Sequence, residues 1–164
     1  MKNLKIEIKW ALIFIFTSIA WMLLERLSGL HSQYIDKHAF YTNFFAIPAI
    51  LVYFFALRDK RNNFYKRVIS YKQAFVSGLI ITLFVTLINP LSQYVISSFI
   101  SPEYFANAIN YAVDTGKMSA NAAQEYFNLK SYILQGFIGV PIMGIVTTAI
   151  LALFIKRKPK IADE

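Results

Sequence analysis

The chain has 164 residues, 57% of them hydrophobic and 16% charged, with a formal net charge of +8. A soluble domain carries roughly 25% charged residues, and so short a chain has too little interior to hide this much apolar surface from water; lipid is the simplest medium for it. The absence of cysteine excludes disulfides, zinc–thiolate sites, iron–sulfur clusters and cysteine nucleophiles.

The first apolar run, Trp10 to Leu24, follows Lys2, Lys5 and Lys9. No small-x-small cleavage site comes after it, so it reads as a membrane span over about 6–25 rather than as a signal peptide. The second run predicts a span over 41–57, stopped by Arg58-Asp59-Lys60-Arg61. The third covers 74–100; its 27 residues reach ~40 Å against a hydrocarbon core of ~30 Å. It must therefore protrude, tilt or break, with Asn89-Pro90 the expected kink. The polar stretch 101–131 predicts two short amphipathic helices. Ser101 is placed to cap the first, with Pro102 at its first position and Gly116 as its stop. Ser119 begins the second. The fourth span is expected over 132–155, ending at Lys156-Arg157-Lys158-Pro159-Lys160. The predicted architecture is thus all-α, a single polytopic helical bundle with four transmembrane helices and an amphipathic segment between the third and fourth.

The basic residues fall in clusters beside these runs. Thirteen Lys and Arg lie in the N-terminus, second loop and C-terminus, against four in the first and third loops. This bias places both termini in the cytoplasm. It accounts for the positive charge without nucleic acid, which is not expected as a partner.

Polar residues at one depth form the candidate binding site: Glu25, Asn43, Asn89, Gln93 and Gln135. They come from four spans and fall ~7–15 Å outward of the midplane by helical rise. Polar side chains in hydrocarbon seek partners, so these five are expected to converge on one outward-facing polar site. Pro48, Pro90 and Pro141 each free a backbone carbonyl. Ala74, Gly78, Thr82 and Thr86 on span three, and Gly144, Thr148 and Ala152 on span four, make small-residue stripes suited to close helix contact. His31 and His38 flank Asp36, but seven residues on one helix separate them by ~10 Å, too far for one ion; only a non-helical turn after Gly29 would reopen that possibility. No catalytic residue, metal site or cofactor is expected, and no enzyme activity.

Trp21-Met22-Leu23-Leu24-Glu25, Gly29-Leu30-His31, Ile47-Pro48-Ala49, Leu57-Arg58-Asp59-Lys60, Tyr71-Lys72-Gln73-Ala74-Phe75 and Pro90-Leu91-Ser92-Gln93-Tyr94 resemble the bacterial domain-of-unknown-function 4199 family. The resemblance extends over essentially the whole chain and implies a small bacterial multi-span membrane protein. It brings no activity, cofactor or site residue. The expected role is a bundle in the bacterial inner membrane that binds lipid, a membrane protein partner or a second copy of itself. A small oligomeric transporter or permease is the alternative.

Overall fold

The computed structural model describes residues 4–158; Lys2 and Lys160, counted in the terminal basic clusters, lie outside them. The α-helices are α1 (Lys5–Leu27), α2 (Ile35–Tyr41), α3 (Ala46–Asp59), α4 (Tyr71–Val95), α5 (Tyr104–Asp114), α6 (Ala120–Tyr126) and α7 (Leu129–Ile155). Among the described residues, four helical stretches are long and apolar enough to cross a membrane: Lys5–Leu27, Ile35–Phe64, Tyr71–Ile100 and Leu129–Ile155. Hydropathy therefore finds the spans, and the all-α four-span bundle is the fold.

The differences lie at the ends. The second span is a longer rod than the expected 41–57. It runs from α2 through a 3-10 turn at Thr42–Phe45 into α3, then through a π-helical turn at Lys60–Phe64. Pro48 has no N–H for the Phe44 carbonyl, and the tighter winding falls just ahead of it. On α4 the Asn89-Pro90 pair, the expected kink, does not interrupt the helix. The helix continues through Pro90 to Val95, and the irregularity is a π turn at Ile96–Ile100, closed by Ser101 N–H donating to the Ile96 carbonyl over 2.7 Å. A proline costs a membrane helix one backbone bond, which packing can offset. The start of α4 is set by a capping box: Ser70 accepts from the Gln73 N–H, and the Gln73 side chain accepts from the Ser70 N–H. Both amphipathic helices are present. Gly116 ends α5 with φ +69°, and the Ser119 hydroxyl caps α6. Ser101 does not cap α5, whose cap position is Glu103; its hydroxyl is used elsewhere.

Helix α4 is central, with 44% of its span window buried against 17%, 22% and 28% for the others. It packs against α7 along the two small-residue stripes. A Cβ on Gly78 would fall 2.2 Å from Thr148 Cγ2, and one on Gly144 would fall 2.4 Å from Thr82 Oγ1. No larger residue fits at that approach. Tyr53 of α3 closes the core by hydrogen bonding Thr82 at 2.8 Å, among Ala11, Ile15, Ala56, Leu57, Ile81 and Val85. The outward faces stay apolar, with Phe16 70% and Phe154 74% exposed, as a helix bathed in lipid requires.

The spans alternate in direction, so one end of the bundle carries the basic loops. There Glu7 is buried with Lys60 at 2.8 Å and accepts from Ser77 Oγ at 2.7 Å. Beside them Asp59 binds Lys9 and the Trp10 indole N–H at 2.7 Å. Backbone bonds between Ile69 and Arg157 tie the second loop to the end of α7.

Candidate functional site

At the opposite end, helix α1 stops because of a glycine. Ser28 is the last residue near helical geometry and Gly29 takes φ +80°. The Gly29 N–H donates to the Arg26 carbonyl over 3.0 Å and the Leu30 N–H to the Glu25 carbonyl over 2.9 Å, the double bond of a Schellman stop. The chain reverses and lays His31 back over the helix it has just left. Helix α2 then begins at Ile35 and returns His38 to the same place.

The two imidazoles meet on one carboxylate. Glu25 Oε2 lies 3.1 Å from His31 Nε2 and 3.2 Å from His38 Nε2. The other oxygen, Oε1, accepts from the Trp21 indole N–H over 2.5 Å. Each ring has its second nitrogen occupied: His31 Nδ1 lies 2.8 Å from Ser101 Oγ, and His38 Nδ1 lies 3.4 Å from Tyr104 OH. Tyr104 in turn bonds the Tyr132 hydroxyl at 3.0 Å, and Asn107 Nδ2 donates to the His31 carbonyl over 2.8 Å. The Tyr104 ring stands 4.9 Å and 5.1 Å from the two imidazoles. Glu25 and His31 are each 2% exposed, shielded from bulk solvent. Burial raises the Tyr104 pKa against the opposing bond from Tyr132, and the Glu25 charge raises it further; the hydroxyl therefore stays a neutral donor or acceptor.

A second feature adjoins this one. A cleft of about 440 Å³ opens between α1, α3, α4 and α7, lined among others by Phe14, Tyr53, Val85 and Met143, and by Asn43, Asn89 and Gln93. Trp21 belongs to both places: it lines the cleft while its N–H holds Glu25. The Asn89 side-chain Nδ2 is buried without a hydrogen-bond partner. It rests on Gly136 of α7, where a Cβ would fall 2.0 Å away.

The sequence profile of proteins of unknown function, DUF4199, matches residues 9–157. The chain belongs to the DUF4199 family. No curated protein and no solved structure matches it.

Within this DUF4199 chain the five residues of the expected polar layer divide. Asn43, Asn89 and Gln93 share the cleft. Glu25 does not join them; its partners are Trp21, His31 and His38. Asn43 donates to the Ala39 carbonyl of its own helical turn over 2.7 Å. Gln135 is exposed and donates to Ser131 over 3.0 Å. Shared depth fixes height along the membrane normal but leaves rotation about each helix free, and rotation separates these residues. The spacing argument against metal at His31 and His38 also falls away, because it assumed one continuous helix. The chain breaks at Gly29, and the ligand atoms of Glu25, His31 and His38 lie within 4.8 Å of one another. Ser101, Tyr104, Asn107 and Tyr132 carried no separate signal in the sequence. Gly29, one residue past the helix end, was the available sign of the reversal.

Proposed function

We propose that this DUF4199 protein is a bacterial inner-membrane bundle, with both termini cytoplasmic, that binds one lipid chain in its lateral cleft and performs no catalysis. The carrying observation is the cleft's composition. Its wall is largely aliphatic and aromatic, with the side chains of Asn43, Asn89 and Gln93 among its few polar liners. A mostly apolar wall with a few polar groups suits a lipid, which supplies a hydrocarbon chain for the wall and carbonyl oxygens for the amides. A cleft of a few hundred Å³ is the usual size for a small-molecule site.

Trp21 provides the readout, because the chain has only two tryptophans. In a Trp10→Phe background in mild detergent, a phospholipid with a brominated acyl chain should quench Trp21 saturably at one equivalent. Filling the cleft with Ala49→Trp, combined with mass spectrometry of retained lipid, should abolish stoichiometric retention while the protein stays monodisperse. Non-saturable quenching, or equal lipid retention by the filled variant, would overturn the reading.

A further inference from the structure

We propose that Glu25, His31 and His38 form a binding site for a divalent transition-metal ion of the zinc type. This does not depend on the lipid reading, since no group of the triad lines the cleft.

Two of the three ligand-atom separations match those of a loaded site, and all three ligand atoms lie within 4.8 Å of one another. Metal bonds of ~2.0–2.1 Å in tetrahedral array place neighbouring ligand atoms ~3.3 Å apart. Glu25 Oε2 stands 3.1 Å and 3.2 Å from the two Nε2 atoms. Small rotations of the rings admit an ion between them. Two imidazoles and a carboxylate are a ligand set that suits zinc and its neighbours and is poor for magnesium or calcium. Three protein ligands leave a fourth position for water or another small ligand.

The surroundings hold the ligands as a metal site does. Metal-binding imidazoles have their outer nitrogen fixed by an oxygen partner, and here those oxygens are Ser101 Oγ and Tyr104 OH. Trp21 occupies Glu25 Oε1 and leaves Oε2 toward the rings. The proton account closes. Without an ion, a ring that carries its N–H at Nε2 donates to the carboxylate and accepts at Nδ1 from a hydroxyl. With an ion, each Nε2 lone pair turns to the metal, the ring proton moves to Nδ1, and the hydroxyl becomes the acceptor. A hydroxyl serves either way, so no buried group loses its partner. His38 is the most accessible ligand, with 15% of its side chain exposed against 2% for the other two, and marks the side of entry.

The competing reading is a hydrogen-bonded clamp with no affinity for ions. The full-length chain, purified in mild detergent with any tag removed and stripped by chelator, decides between them. Zinc is titrated in competition with a chromophoric chelator, and cobalt is followed by its visible spectrum. One equivalent should bind, with a tetrahedral cobalt spectrum. Ser101→Ala and Tyr104→Phe should weaken binding ~10–100-fold at unchanged stoichiometry, and His38→Gln should weaken it further and remove the cobalt bands. Circular dichroism and elution volume report folding; if His38→Gln misfolds, the Tyr104→Phe affinity decides alone. Absence of saturable binding, or affinities unchanged across these variants (an adventitious ion only), overturns the proposal.

Discussion

Helix α1 buries a glutamate near each end, and the two are treated differently. Glu7 is matched by the Lys60 ammonium and the Ser77 hydroxyl, an ion pair completed by a hydrogen bond. Glu25 is matched by two imidazoles and an indole, and an imidazole nitrogen can serve as a hydrogen-bond partner or as a metal ligand. One carboxylate is locked and the other is available for ligand chemistry. A buried carboxylate is therefore no sign of function by itself; its partners decide what it can do.

The first way to break this comparison is to test which end faces which compartment. A reporter active only in the periplasm should be silent when fused at Glu164 and active when inserted after Gly116; the reverse result would place the basic end outside. The second probes the lock. Lys60→Met leaves Glu7 buried without its cation and should cost about 3–5 kcal/mol, read as a lowered unfolding midpoint in detergent. Adding Glu7→Met should recover most of that loss, because the unpaired charge is gone. If the double variant is no more stable than the single, the pair has another role.

Two smaller effects sharpen the other end. Gly29→Ala forces a side chain into the left-handed region and should cost about 1–2 kcal/mol. Unlike the lock variants, it should also weaken zinc binding, because it disturbs the reversal that returns His31. Asn107→Ala removes one bond to the His31 carbonyl and should cost about 1 kcal/mol. An Asn107→Ala loss as large as that of Lys60→Met would mean that the histidine end, too, is mainly structural.

The spans were legible because twenty or so apolar residues in series have few other solutions. Gly116 and Ser119 were legible because their roles are local. Ser101 was misread for the same reason: a serine before a proline suits a cap, yet a histidine seventy residues earlier in the chain holds its hydroxyl. Glu7 falls inside the expected span of about 6–25 but drew no role, because its partners Lys60 and Ser77 reach it only through the packing of the helices. The polar layer was half legible. Depth follows from counting, but which way Glu25 or Gln135 faces depends on how the helices pack.

Both glutamates sit on α1, and their partners Lys60 and His38 sit on the single rod from Ile35 to Phe64. The two clasps are eighteen helical steps apart on α1, ~27 Å of rise, close to the ~30 Å hydrocarbon core of a bilayer. Two helices fastened at both ends cannot slide past one another to shorten or lengthen the greasy belt between them. The protein thus behaves as a ruler of fixed hydrophobic length, and in a membrane of another thickness it must tilt as a unit or make the surrounding lipid adjust.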